Sequence, residues 1–253
     1  AAWAWRWRHD DRARQALPGS NAVACWHDGG VRHFDLCIIG TAPGNSIIDD
    51  RFDDLGVALV EMGSFGGTCL NVGCIPSKMF VHPADLAAST VEATKLGVDL
   101  DLRGVRWRDI RDRIFGRVDP MAANGRGYRQ RSDNVTVFDA RARFVGPREL
   151  DVGAADTITA DRLVIAAGSR PMVPDLAGLN SVDFHTSDTV MRLPELPRSM
   201  IIIGGGYISA EFAHIFSAFG TSVTVLHRSG VLLRREDADV AKRFTELLGR
   251  RVD

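Results

Sequence analysis

Residues 34–45 read FDLCIIGTAPGN, an apolar run that leads without a break into a glycine turn. A short apolar run bounded by turn residues predicts a buried strand. Gly40 and Gly44 place a tight turn directly after that strand, which is the arrangement of a phosphate-binding βαβ unit. In such a unit the first amides of the following helix face a diphosphate. The stretch therefore predicts an α/β fold that binds a dinucleotide.

The turn departs from the usual Gly-x-Gly-x-x-Gly pattern. Ala42 stands at the second glycine position, Pro43 follows it, and Asn45 stands at the last glycine position. The backbone at Ala42 should approach the phosphates closely, and its methyl group takes up space there. Weaker binding of the dinucleotide therefore stays open as an alternative. The next apolar run, Val57–Glu61, predicts a second strand that ends in an acid about 20 residues after the turn. We expect Glu61 to hold the ribose hydroxyl pair.

Two cysteines follow in residues 66–78, which read GGTCLNVGCIPSK. On a regular helix Cys69 and Cys74 would differ by roughly 7.5 Å in rise alone, which is beyond the usual reach of a disulfide. The segment must therefore bend, and Gly73 supplies the freedom. The amides of a helical turn that begins near Thr68 should stabilise a thiolate suited to disulfide exchange. A pair of inert thiols or a metal clip is the alternative, but a metal clip usually needs a second pair, so we expect no metal site.

A second strand–turn–helix pattern begins at Met200, where the sequence reads MIIIGGGYISAE. Two dinucleotide patterns in one chain are far more specific than one. Gly204 and Gly206 form the turn. Ser209 holds the last position of the pattern, where a small residue still lets the helix pack closely on the strand.

The strand that follows this second helix, residues 222–226, ends at His227 and Arg228 instead of at an acid. The usual partner of a free ribose 2′-hydroxyl is therefore missing. Arg228, together with Arg234 or Arg235, offers positive charge for a 2′-phosphate. We expect NADPH in preference to NADH.

The cysteine run and the GGGYISAE turn resemble the signatures of the flavin-dependent pyridine nucleotide disulfide oxidoreductases, the family of glutathione reductase, dihydrolipoamide dehydrogenase, mercuric reductase and mycothione reductase. The resemblance implies a glutathione reductase-like fold with two Rossmann-like βαβ domains, which bind FAD and NAD(P). It implies that Cys74 faces the flavin and that Cys69 attacks the substrate disulfide. Lys78 would lie near the flavin N5 and pair with Glu211, and Tyr207 would cover the nicotinamide pocket. The residues expected to bind the two cofactors are Gly40, Ala42, Pro43, Gly44, Glu61, Gly67, Thr68, Lys78, Gly168, Gly204, Gly206, Tyr207, Ser209, Glu211, His227, Arg228 and Arg234.

The same resemblance divides the chain. Residues 33–171 are expected to form the FAD-binding domain with the cysteine helix, and residues 172–253 an incomplete NAD(P)-binding domain. Residues 1–32 show no helical or alternating period, and we interpret them as an unstructured extension. The fold is expected to be truncated, because the family's C-terminal dimerisation domain and its His–Glu pair are absent from the sequence. An inactive flavin-binding remnant is therefore one alternative.

Residues 45–52 and 106–117 resemble the corresponding segments of the mycothione reductases. This likeness favours mycothiol disulfide as the substrate. Glutathione reductase, dihydrolipoamide dehydrogenase and mercuric reductase activities stay open as alternatives within the family.

Composition limits the other partners. A net charge of -1, with 45% apolar and 25% charged residues, indicates a soluble globular protein with no electrostatic attraction to nucleic acid or membranes. No apolar run approaches the length of a membrane span. Cys37 lies inside an apolar strand and is expected in the core, and a lone reactive pair suits a reducing cytoplasm. The expected partner is a low-molecular-weight thiol disulfide, and the resemblance implies a homodimer for the full-length protein.

Overall fold

The computed structural model describes residues 25–27, 31–154 and 156–253. Its strands are β1 (Cys25–His27), β2 (Val31–Ile39), β3 (Val57–Glu61), β4 (Val135–Asp139), β5 (Arg143–Gly146), β6 (Glu149–Asp151), β7 (Thr157–Ile165), β8 (Ser199–Ile203) and β9 (Ser222–Leu226). Its α-helices are α1 (Gly67–Asn71), α2 (Cys74–Lys95), α3 (Trp107–Gln130), α4 (Tyr207–Ala218) and α5 (Ala238–Leu248). Together these elements form an α/β fold with two sheets.

The larger sheet has the strand order β4-β3-β2-β7-β6-β5, and β1 pairs with the beginning of β2. Strands β4, β3, β2 and β7 are parallel, whereas β5, β6 and β7 form an antiparallel meander. The first four residues of β3 are all buried, as expected for a parallel strand that is covered on both faces. The carboxyl ends of β2, β3 and β7 therefore lie at one edge, where ligands bind in open α/β sheets.

The boundary expected at residue 33 is wrong, because the sheet already includes residues assigned to the extension. Strand β1 pairs antiparallel with the start of β2, with Cys25 opposite His33 and His27 opposite Val31. Sequence periodicity missed β1 because three residues are too few to show an alternation, and backbone pairing alone builds such a strand. The rest of the predicted extension, residues 1–24 and 28–30, lies outside the described residues.

The regular helix expected after the first glycine turn is also a wrong prediction. Residues 43–47 and 50–52 form two short 3-10 helices. Pro43, Gly44 and Asn45 are poor residues for a helix interior, and the side chain of Asp49 accepts a hydrogen bond from the amide of Arg51, which favours a local turn. Few aligned peptide dipoles therefore face the turn.

The smaller sheet pairs β8 with β9 in parallel. On the free side of β9, the amide of Asp253 donates to Val223 O at 3.0 Å and its carbonyl accepts from Val225 N at 2.6 Å. This is the bonding pattern of a further parallel strand. The strand–helix–strand unit predicted from Met200 is confirmed.

One apolar core joins the two halves of the chain. Its buried residues come from α2, α3, α4, α5 and β9, with Trp107 of α3 stacked on Phe80 of α2 at 5.1 Å and close to Phe216 of α4 at 5.6 Å. Two smaller cores cover the faces of the larger sheet. The helices that carry the cysteine segment and the second glycine turn are thus packed together.

Candidate active site

The first glycine turn is held at the carboxyl ends of β2 and β7. Gly40 has a φ of +101°, and a Cβ atom built there would overlap the carbonyl oxygen of Ala166, which follows β7. A Cβ atom on buried Gly44 would lie 2.5 Å from the Cβ atom of Ala166. Only glycine fits at both positions. Gly168, which lies two residues beyond Ala166, has space around it.

Glu61 sits beside this turn with three hydrogen bonds. Its Oε2 accepts from Thr41 N at 3.0 Å and Thr41 Oγ1 at 2.7 Å, and its Oε1 accepts from Gly63 N at 2.8 Å. A carboxylate has about four acceptor positions, so Oε1 still has one available for a hydroxyl group. Glu61 is the last residue of β3, and its ribose contact stays a prediction.

Thr41 is a site residue that the sequence analysis missed. Its side chain is 2% exposed, and its hydroxyl donates to Glu61 while accepting from Gly66 N at 2.9 Å. It therefore joins the glycine turn, the acid of β3 and the start of the cysteine segment. The sequence signal that could have identified Thr41 is its position, directly after Gly40 and 20 residues before Glu61.

The methyl group of Ala42 is directed at the cysteine segment. A Cβ atom built on Gly67 would overlap the Cβ atom of Ala42, so Gly67 leaves the room that the methyl group takes. Pro43 begins the first 3-10 helix, where a missing N–H costs nothing. The departures at Ala42 and Pro43 are thus accommodated by the protein itself.

The cysteine segment bends between Cys69 and Cys74, as the spacing of the two cysteines required. Helix α1 ends at Asn71, Gly73 is the N-cap of α2, and Cys74 is the first residue of α2. Asn71, a second residue that the sequence analysis missed, is 6% exposed and donates from Nδ2 to Phe65 O and Gly67 O, both at 2.9 Å. This side chain ties the loop before α1 to the end of α1.

The two thiols are free in this structure and are hydrogen bonded to each other. The bond that the Cys69 thiol donates to Cys74 raises the pKa of Cys69 above its usual value, and burial raises it further. The amides of Cys74 and Ile75 donate to the Cys69 sulfur and lower the pKa, as expected for a first helical turn, but their effect is smaller. The amides therefore act in the expected direction, but the pKa of Cys69 in the reduced pair is raised overall, opposite to the stabilised thiolate expected in this segment.

The ion pair expected between Lys78 and Glu211 is present. Lys78 Nζ lies within hydrogen-bond distance of Glu211 Oε1 and links α2 to α4. Lys78 is one helical turn beyond Cys74, and its side chain is 62% exposed. The cysteine helix and the helix of the second glycine turn are thus joined by a charged contact next to the cysteine pair.

The second glycine turn has the expected compact form. Gly204 has a φ of +137°, its amide donates to Leu226 O at 2.8 Å, and a Cβ atom on it would lie 3.0 Å from Ser209 Oγ. Gly206 is the N-cap of α4. Tyr207, the first residue of α4, is 70% exposed and leaves its ring accessible to a ligand.

The basic residues after β9 lie next to this turn. A Cβ atom on Gly205 would lie 3.2 Å from the Cβ atom of His227. The amide of Leu233 donates to Gly205 O at 2.7 Å, and Leu233 takes a φ of +53°, which side chains seldom adopt. Arg228 and Arg234 are exposed, and neither forms an ion pair within the described residues. Among the described residues, no hydrogen bond joins His227, Arg228 or Arg234 to Cys69 or Cys74.

These residues fit a bound dinucleotide at each turn. The first turn offers a glycine backbone that no side chain can fill, a free acceptor on Glu61 and the adjoining cysteine segment. The second offers a glycine turn followed, after β9, by exposed Arg228 and Arg234, which form no ion pair with a described residue. Within residues 25–27, 31–154 and 156–253 there is no group of three or more potential metal ligands. No helix in the same part of the chain is long and apolar enough to cross a membrane.

Two glycine turns, a bent pair of cysteines and a Lys–Glu bridge define a class of redox protein. The family model for pyridine nucleotide-disulphide oxidoreductases matches residues 34–251, and the chain belongs to that family. The chain is 47% identical to the mycothione reductase of Mycobacterium tuberculosis (strain ATCC 25618 / H37Rv) over 220 residues, which cover 85% of this chain and 48% of that protein.

Other relatives agree with this assignment. The chain is 34% identical to the glutathione reductase of Burkholderia cepacia over 220 residues, which cover 85% of this chain and 47% of that protein. The solved structure of the HOCl-induced flavoprotein disulfide reductase RclA from Escherichia coli has a TM-score of 0.74 at 29% identity, and the match covers 87% of this chain and 48% of that one. The chain thus spans about half the length of the curated relatives it matches. The predicted fold with two Rossmann-like domains is confirmed.

Proposed function

We propose that this chain is the FAD- and NADPH-binding part of a disulfide reductase that acts on mycothiol disulfide. The observation that carries the proposal is the hydrogen-bonded pair Cys69 and Cys74 at the bend into α2, one turn before the Lys78–Glu211 ion pair. The family supplies the reaction class, and the 47% identity with a mycothione reductase supports the substrate.

The first glycine turn would hold the FAD diphosphate on the backbone of Gly40 to Gly44. Glu61 would accept from a ribose hydroxyl, and Gly67, Thr68 and Gly168 would contribute to the same cofactor site. Bound FAD would supply the two-electron link between the nicotinamide and the cysteine pair. The exchange of thiols and disulfides would be carried out by the chain's own cysteines.

The cysteine pair would carry out two consecutive exchanges. The Cys69 sulfur, after losing its proton, attacks one sulfur of the substrate disulfide; that S–S bond breaks, one substrate thiolate leaves and takes up a proton, and a mixed disulfide forms on Cys69. The Cys74 thiolate then attacks the Cys69 sulfur and releases the second substrate thiol. The pair is thereby oxidised by two electrons and the substrate is reduced by two. The short sequence distance across Gly73 keeps the second attack intramolecular.

The hydrogen bond between the two thiols sets the starting point for these exchanges. While both thiols are reduced, the Cys69 proton is shared with Cys74, and the amides of Cys74 and Ile75 hold the Cys69 sulfur in place. A base that removes this proton frees Cys69 for attack. Lys78, held by Glu211, would keep a positive charge one helical turn beyond Cys74.

The nicotinamide nucleotide would bind at the second turn, with Gly204, Gly206 and Ser209 around its diphosphate. Exposed Arg228 and Arg234 would take the 2′-phosphate, and accessible Tyr207 would cover the nicotinamide. Within this proposal the whole protein works in the cytoplasm as a homodimer.

A stoichiometric assay tests the proposal on the chain as it is. A Cys25→Ser background leaves only the pair and the buried Cys37. The FAD-loaded protein is reduced by NADPH, separated from it and mixed with mycothiol disulfide. Two thiols per chain should be released. Cys74→Ser should release one and retain a mixed disulfide visible by mass spectrometry, whereas Cys69→Ser should react at least about 100-fold more slowly.

Three results would count against parts of the proposal. Thiol release by Cys69→Ser at the parental rate would remove Cys69 as the attacking residue. Reaction with glutathione disulfide, lipoamide or mercuric ion but not with mycothiol disulfide would change the substrate. In the reduction step, Arg228→Ala should slow reduction by NADPH about 10-fold or more and leave the rate of reduction by NADH unchanged. Equal effects on the two rates would remove the 2′-phosphate contact.

A further inference from the structure

Arg129 is a buried cation next to the first glycine turn. It lies in the last turn of α3 and is only 9% exposed. Its Nε donates to Asn45 Oδ1 at 2.8 Å, and its Nη2 donates to Asn45 O at 3.0 Å and to Ile48 O at 3.2 Å. These acceptors belong to the segment that begins one residue after Gly44. The third glycine position of the usual pattern is thus replaced by an asparagine that binds this guanidinium.

The charge of Arg129 has no anionic partner in the described part of the chain. All its acceptors are neutral oxygens, and the ring of Tyr128, with its centroid 5.2 Å from the guanidinium carbon, compensates the charge only in part. Nη1 makes no hydrogen bond to a described residue. An arginine stays protonated, and a buried charge normally requires a counter-charge.

The local fold explains why a cation is needed here. In a regular βαβ unit the aligned dipoles of the helix after the turn supply positive potential to the diphosphate. In this chain the segment is a five-residue 3-10 helix that starts at Pro43. Too few peptide groups are aligned to give that potential. Arg129 lies against the same segment, with its guanidinium bound to Asn45 and Ile48.

We propose that Arg129, held by Asn45, is a positioning residue for the bound dinucleotide. It fixes the segment after Gly44 and supplies the positive charge for the diphosphate that the missing helix does not. The inference rests on the proposed binding of FAD at the first turn. It assigns a role to Asn45 that the glycine pattern alone does not.

The test is the affinity of the full chain for FAD, ADP and adenosine, followed by quenching of flavin fluorescence and by competition. Arg129→Met should raise the dissociation constants of FAD and ADP about 10- to 100-fold, because a charged hydrogen bond is lost. The constant of adenosine, which has no phosphate, should change less than about 2-fold, and the salt dependence of ADP binding should flatten. Arg129→Lys, which keeps the charge without the planar fork, should fall between.

Two further variants control for folding. Asn45→Ala keeps the guanidinium of Arg129 and should raise the dissociation constant of ADP about 3- to 10-fold. Arg111→Met changes another arginine of α3 that donates to backbone carbonyls, those of Leu193 and Pro194, and should leave all three constants within about 2-fold. Unchanged FAD and ADP binding in Arg129→Met, or equal losses for ADP and adenosine, would overturn the inference. If the wild-type chain binds neither FAD nor ADP, the proposed function itself fails.

Discussion

At the scale of single residues, the site depends on small side chains with several partners each. Thr41 joins Glu61 to Gly66, and Asn71 joins the loop before α1 to its helix. Each of these residues is almost completely buried, and removing their side chains would take a partner from Gly66 N, Phe65 O and Gly67 O. The sequence showed the glycines and cysteines of the site, but a threonine or an asparagine is too common to be recognised without its contacts.

Cys37 provides a prediction on the pH dependence of stability. It is fully buried in β2, and burial raises its pKa to about 12 from 9.0. The unfolded chain therefore loses this proton above pH 9 while the folded chain keeps it. The free energy of unfolding should fall as pH rises from 9 towards 12, by at most about 1.4 kcal/mol per pH unit from this group.

Cys37→Val should remove this contribution. The similar volume of valine should keep the stability at pH 7 within about 1.5 kcal/mol of the wild type, while the profile between pH 9 and 11 becomes flatter. Urea denaturation at fixed pH values measures both quantities. Parallel profiles for the two proteins would show that Cys37 does not contribute to the loss of stability.

At the scale of elements, the bend between α1 and α2 sets the distance between the two thiols. A Cβ atom on Gly73 would lie 2.9 Å from Thr68 O, a backbone atom of α1 that cannot move without its helix. Gly73→Ala should push the two helices apart. We expect the equilibrium constant for forming the Cys69–Cys74 disulfide against glutathione to fall about 10-fold or more.

Gly116→Ala is the matched control for this substitution. Gly116 lies inside α3, and a Cβ atom there meets nothing within 4 Å. It should raise the free energy of unfolding by about 0.5–1 kcal/mol through helix propensity and leave the disulfide equilibrium unchanged. Equal disulfide equilibria in the two variants would mean that the bend does not control the pair.

At the scale of the whole molecule, helices α2 and α3 share one core with α4, α5 and β9. Trp107 is 4% exposed, packs between Phe80 of α2 and Phe216 of α4, and donates from Nε1 to Leu193 O at 2.8 Å. A shared core couples the unfolding of the elements that contribute to it. Because α3 also contacts β4 of the larger sheet, the two sheets should unfold together.

Trp107→Ala tests this coupling through hydrogen exchange. It should lower the protection of amides in both β3 and β9 by about 3–5 kcal/mol, the cost of deleting a large core side chain. Phe144→Ala, at a position that is 47% exposed, should lower neither by more than about 0.5 kcal/mol. Loss of protection in β9 while β3 keeps its own would show that the two units unfold independently.

The sequence determined the strands that lead into both glycine turns, the bend between the cysteines and the pair Lys78–Glu211. These features follow from local pattern, spacing and family resemblance, which act over a few residues or match a known motif. Tertiary structure decided the rest. The placement of Arg129 beside Asn45 joins positions 84 residues apart in the chain, and the direction of the Cys69 pKa shift comes from the bond between the two thiols and from burial. Burial and hydrogen bonding depend on the surroundings that the complete fold creates, and residue spacing does not record them.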